Sequence, residues 1–270
     1  MKNTQTTKTM ALSLLTAAFL TVISTASFAD EGETVHTNDR WEECAMDINP
    51  NLTQSEWKQF NKNFSSILYF KPMSGAKPMG KGKIDISLEM SRTKIDEHSG
   101  AWKNTFSHPE DDHFLSDDDH QLQIPVLTAR YGVTNDIDAG VTYTKNPESN
   151  YSWMGMDAKY AFHQDKRRGI SIATRLSSVV IMGVEDFDYY LAAADLLVSK
   201  ELGMFTPYAG VTGIVSSANE TTDEVDLERN TLASVEAIVG TQFQWSYLSV
   251  AAETDIARVN TYSVKVGAIF

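Results

Sequence analysis

A single cysteine, Cys44, stands in a chain of 270 residues. No internal disulfide can form, which leaves it a free thiol or an intermolecular bridge. Bases are scarce as well: 23 Lys and Arg face 36 Asp and Glu, for a formal net charge of −13. That balance excludes nucleic acid and a polybasic membrane-surface patch, both of which need cationic excess. Past the first thirty residues no apolar run is long enough for a membrane-spanning helix; Ala192–Val198 is too short and carries Asp195. Also missing are an HExxH helix, an EF-hand loop, a nucleophile elbow and a glycine loop for phosphate. The reading is therefore non-enzymatic, with no cofactor.

What is present begins with an export signal at residues 1–29. Lys2 and Lys8 give a positive start, Met10–Ile23 an apolar stretch, and Ser27-Phe28-Ala29 a small-x-small cleavage site. Residues 30–80 follow as an N-terminal segment, acidic at first, expected on the periplasmic side. Thr53 and Glu56 have the spacing of a capping box, and Leu52 with Trp57 that of a hydrophobic staple. Trp57, Phe60, Phe64 and Ile67 or Leu68 then recur at helical spacing. This one helix is expected to pack on a barrel mouth or the periplasmic side, or else to dock a partner. Pro72, Gly75, Pro78, Gly80 and Gly82 mark a turn-rich linker.

From residue 81 to 270 the apolar period is two. Ile84, Ile86, Leu88 and Met90 alternate with Asp85, Ser87, Glu89 and Ser91, and Tyr262, Val264, Val266, Ala268 and Phe270 with Ser263, Lys265 and Gly267. Similar segments between them bring the total to about ten strands, with roughly 8–12 open for this chain, an even number in the range of membrane barrels. Between Gln121 and Val133 the parity shifts, which predicts a bulge near Pro125. Short connections such as Thr134-Asn135-Asp136 alternate with long acidic ones such as Lys94–His120 and Ser216–Arg229, the pattern of periplasmic turns and extracellular loops. Two aromatic girdles are expected: Tyr131, Tyr160, Phe162, Phe205, Phe243, Trp245 and Phe270 at one end, and Tyr143, Tyr151, Trp153, Tyr189 and Tyr262 at the other. The fold class is all-β, an antiparallel transmembrane β-barrel. A soluble barrel with its apolar face inside is the rival, because periodicity alone does not tell inside from outside.

Over residues 81–270 the chain resembles small single-chain bacterial outer-membrane β-barrel proteins. The resemblance rests on the strand periodicity, the strand–turn–strand Ala129–Asp138 and the terminal Phe270. It implies residence in the bacterial outer membrane, contact with lipid and lipopolysaccharide, and insertion by the β-barrel assembly machinery. Tyr262, Val264, Val266 and Phe270 would form the assembly signal. Ala268 departs from the bulky residue often found two positions before the end.

Two sets of residues carry candidate chemistry. On the polar strand face stand Asp85, Glu89, Arg130, Asp138, Asp157, Lys159, Arg175, Asp195, Glu236, Glu253, Asp255 and Lys265. They would either plug a lumen with salt bridges or line a narrow, cation-preferring pore. The first long loop holds His98, His108, His113 and His120 among carboxylates that include Asp111 and Asp112, a mixture suited to divalent cations without a recognised spacing. The expected role is structural or small-solute, porin-like transport. The alternative is a surface protein binding cations or extracellular ligands through that loop; an outer-membrane hydrolase ranks last.

Overall fold

A computed structural model describes residues 45–96, 98–107, 116–117, 121–145 and 149–270. The export signal and Cys44 lie outside those residues. In chain order the elements are β1 (Ala45–Met46), α1 (Gln54–Leu68), β2 (Ile84–Lys94), α2 (Gly100–Lys103), β3 (Phe106–Ser107), β4 (Ser116–Asp117), β5 (Gln121–Gly132), β6 (Ile137–Lys145), β7 (Ser152–Asp165), β8 (Ile170–Met182), β9 (Phe187–Lys200), β10 (Phe205–Glu220), β11 (Asn230–Trp245), β12 (Leu248–Ile256) and β13 (Thr261–Ile269).

Strands β2 and β5 to β13 form a closed antiparallel barrel of ten strands. The ring shuts where β13 meets β2, with Thr261 opposite Thr93 and Ile269 opposite Asp85, and β2 continues into β5. Closure pairs the backbone of the ring's first and last strands, so the ten-stranded ring itself has no open edge. Four connections of two to four residues, 133–136, 166–169, 201–204 and 246–247, lie at the end where β13 finishes; at the other end lie 183–186 and 257–260 together with every longer connection of the barrel. Gly169 and Gly203 hold positive φ (66° and 68°) in these short turns, a conformation that costs glycine little.

The capping box forms as the sequence suggests. Thr53 is extended at φ −90°, its hydroxyl accepts the Glu56 N–H, and Glu56 Oε2 accepts the Thr53 N–H at 2.9 Å. Trp57, Phe60 and Phe64 on α1 are wholly buried. Their position corrects the expected periplasmic placement: α1 lies inside the barrel. Asn61 Nδ2 donates to the Asn230 carbonyl, Tyr189 Oη donates to Asn61 Oδ1, and Ser216 Oγ donates to the same oxygen. The aromatic stripe meets Phe187 and Tyr189 of β9 and Trp102 of α2, with ring centroids 5.1–6.4 Å apart. An apolar helix face needs an apolar counterpart, and the upper inner wall supplies one. Ser66–Leu68 is helical and adds no strand to the barrel.

The same inner layer corrects two further expectations. Strand β5 pairs with β2 in unbroken register from Ile84–Tyr131 to Lys94–Gln121, so no bulge forms near Pro125. Leu122, Ile124 and Val126 face inward with Thr128 and Arg130, and pack on the buried core around α1. The parity shift is a change in what fills the lumen. Likewise Tyr151, Trp153 and Tyr189 are 1–4 % exposed and face inward, not into a girdle. Strand β7 carries the register shift, between Ala161 and His163.

Candidate functional site

The lumen has two layers. Around α1, near the long-loop end, it is apolar; below, the extended segment from Tyr69 to Met79 crosses a charged wall. Five buried charge pairings dominate that wall. Asp157 receives Arg130 Nη2 at 2.8 Å and also Arg175 Nε, and Arg175 Nη1 reaches Asp195 Oδ2 at 2.7 Å. Lys159 stands 3.3 Å from Asp138, and Lys265 3.1 Å from Asp85. Glu89 and Glu236 are 5 % and 3 % exposed, and Glu253 3 %. The twelve charges read from the polar strand face are thus all buried and point into the barrel.

What sequence reasoning missed is the segment these charges hold. Arg175 Nη2 donates to the Phe70 carbonyl at 2.6 Å, and its guanidinium lies 4.7 Å from the Phe70 ring centroid. Glu253 accepts the Met73 N–H at 3.0 Å and Ser199 Oγ accepts the Ala76 N–H at 3.0 Å. Lys159 Nζ donates to the Gly75 carbonyl at 2.9 Å, and Asp138 accepts the Met79 N–H at 3.2 Å. A proline- and glycine-rich stretch cannot build a ladder of its own. Its buried backbone groups need partners, and wall side chains provide them. At the short-turn end Gly82 N–H donates to the Gly132 carbonyl at 2.8 Å, where a Cβ on Gly132 would fall 2.0 Å from the Gly80 carbonyl oxygen.

At the opposite end the chain enters among the loops. Met46 N–H donates to Asn150 Oδ1 at 2.9 Å, and Ile48 N–H to Asp186 Oδ2 at 2.7 Å. Asp47 lies beside Asp186, and burial, followed by the hydrogen bond and charge of Asp186 and the charge of Glu224, pushes its carboxyl up to about 6. Hydrogen bonds from the Thr53 backbone and hydroxyl hold Glu56 below the usual carboxylate range. The segment therefore spans the bore from the long loops to the short turns. Beside it, Ile67–Lys71, Glu89, Ile124 and Trp153 line an internal cavity of about 20 Å³, room for about one water.

The outer wall has the opposite polarity. Val141, Met156, Leu176, Leu196, Val211, Val235, Val239, Val264 and Val266 are 50–78 % exposed there, while the strand charges of the middle of the wall face inward. A water-soluble barrel would hide that surface; a bilayer requires it. The molecule is a membrane-spanning β-barrel. Tyr131, Tyr160, Phe162, Phe205, Trp245 and Phe270 are exposed toward its short-turn end, and Tyr143, Tyr190 and Tyr262 toward the other. Tyr262, Val264, Val266 and Phe270 face outward on and just after β13. Two surface concavities, about 370 and 680 Å³, are grooves in this lipid-facing wall beside Met154 and Tyr190 and beside Val239 and Tyr262.

No family model matches the chain, and no curated protein does. Solved barrels are similar to it at low identity. An outer-membrane channel from Pseudomonas putida F1 is 11 % identical with TM-score 0.44, over 72 % of this chain and 98 % of that one. The attachment invasion locus protein Ail of Yersinia pestis, solved with a heparin analogue, is 14 % identical with TM-score 0.33, over 70 % and 99 %. The N-terminal barrel domain of Pseudomonas aeruginosa OprF is 11 % identical with TM-score 0.27, over 71 % and 100 %. The assignment to the membrane rests on the polarity of the barrel itself.

Of the loop residues suited to cations, His108, Asp111, Asp112, His113 and His120 lie outside the described residues. His98 is described and exposed, and among the described residues no group of three or more His, Cys, Asp or Glu has metal-binding geometry.

Proposed function

We propose that the protein is a non-catalytic, porin-like barrel that conducts small solutes when its own N-terminal segment leaves the lumen. The observation that carries this reading is how the segment is held. Between Tyr69 and Met79 it is bound to the wall largely by side-chain contacts, from Arg175, Glu253, Ser199, Lys159 and Asp138. Its release breaks none of the pairings that close the ring. The bore it leaves would be lined by charges with acids in excess, which supports a preference for cations. The long loops then face outward and the short turns the periplasm. The outward residues Tyr262, Val264, Val266 and Phe270 serve as the assembly signal in this reading.

Planar-bilayer recording on the refolded full chain tests it. Wild type is expected to be mostly closed with rare cation-selective steps, and Phe60→Ala to open more often. A complete lack of steps in both, at any salt concentration, overturns the conduit reading and leaves a structural barrel.

A further inference from the structure

Around Lys71 the wall carries more acid than the segment answers. Lys71 is 4 % exposed, and its Nζ donates to the carbonyls of Ser66, Ile67 and Tyr69 at 3.3–3.4 Å. Its ion-pair partner is Asp255, at 4.0 Å. Asp255 is fully buried and neither of its carboxylate oxygens has a hydrogen-bond partner. Glu236 takes the Ser66 hydroxyl on one oxygen and Glu253 takes Tyr208 Oη and Met73 N–H on one oxygen. The second oxygen of each is buried without a partner. The three acids are contiguous, because Asp255 sits opposite Ile238 on β11, one inward position from Glu236, and Glu253 is the next inward residue on β12. The other lumen cations, Arg130, Lys159, Arg175 and Lys265, each have a carboxylate within 3.3 Å.

We propose that this acidic pocket is a recognition site for alkylammonium solutes, and that Lys71 fills it in the closed barrel as a built-in stand-in. The proposal rests on the conduit reading above and names the solute class it would favour. Buried carboxylate lone pairs need N–H donors and positive charge. A primary ammonium on a slim aliphatic stem supplies both, as the lysine side chain does. An anion meets the opposite of what it needs here. A coordinated metal is disfavoured because the described acids do not converge in metal-binding geometry.

The test uses the full chain and n-butylammonium. Lys71→Met removes the stand-in charge while keeping a flexible stem. Calorimetry in detergent is expected to show binding to Lys71→Met at least about tenfold tighter than to wild type, since a charge-assisted hydrogen bond is worth roughly that factor. Adding Asp255→Asn is expected to abolish the gain. In bilayers the same amine is expected to block Lys71→Met, with the block relieved by Asp255→Asn. Conductance that is equally blocked with or without Asp255→Asn overturns the site while leaving the conduit reading intact. Conductance absent from every variant overturns the conduit reading and the inference with it. Where Lys71→Met does not give a heat-modifiable barrel, Asp255→Asn alone is compared with wild type, and unchanged amine block then overturns the site.

Discussion

Phe60→Ala is the perturbation that most directly separates plug from barrel. The Phe60 ring is fully buried and lies 5.6 Å from Trp57, 4.8 Å from Phe64, 5.4 Å from Trp102, 6.3 Å from Phe106 and 5.9 Å from Phe187. Truncation removes its transfer free energy and leaves a cavity, together about 3–5 kcal/mol. The ring pairs lie inside that sum, because each adds only about 0.5–1.5 kcal/mol beyond area. No barrel hydrogen bond is lost, so the cost falls on the seating of α1. A shift of that size raises the released population by roughly two to three and a half powers of ten. Open probability in a bilayer reads this, and limited proteolysis of residues 54–80 reads it independently. Open probability within about twofold of wild type, with unchanged protease resistance, would refute the claim that aromatic packing seats the plug, since about 3 kcal/mol cannot vanish unnoticed.

Three other perturbations probe different parts of the argument. In a Cys44→Ser background, Asn51→Cys is expected to react with an impermeant maleimide on intact cells and Lys81→Cys only after lysis; the reverse would invert the assigned sides. Arg175→Met leaves Asp195 buried without a cation, and is expected to cost about 3–5 kcal/mol in urea unfolding followed by gel mobility, with part recovered in Arg175→Met/Asp195→Asn. Asp47 has a folded pKa of about 6, above the ordinary 3.8, so the fold favours its protonated form. Its contribution is complete below the ordinary value and is lost as pH rises through about 6. Exchange of the Ile48 amide is therefore expected to be slower at about pH 5 than at about pH 7.5 once corrected for intrinsic rates, and Asp47→Asn to flatten the difference.

The barrel was legible because a strand facing lipid has no choice but to alternate. Ile84 to Met90 and Tyr262 to Phe270 state their orientation residue by residue. Legibility stopped where the interior is apolar too. Ile124, Trp153 and Tyr189 face inward against α1, and the pattern of a strand greasy on both faces carries no sign of direction. The linker misled for a related reason. Pro72, Gly75 and Pro78 signal a stretch that cannot join a sheet, which is also what a chain threaded past side-chain partners requires. Lys71 gave one hint, a lone base between an apolar helix end and a proline, but only the assembled wall shows what faces it.

One consequence follows from the direction in which the N-terminal segment runs. Its downstream end runs on into β2 and is stitched to the end of β5 beside the short turns, where Gly132 exchanges hydrogen bonds with Gly82 and Lys83, and its upstream end stands among the loops opposite. Like a thread knotted at the bottom of a bead, it has only one end able to slip. Retreat toward the knot must draw whatever precedes Ala45 back down the hole, so anything bulky attached upstream would jam the thread in place.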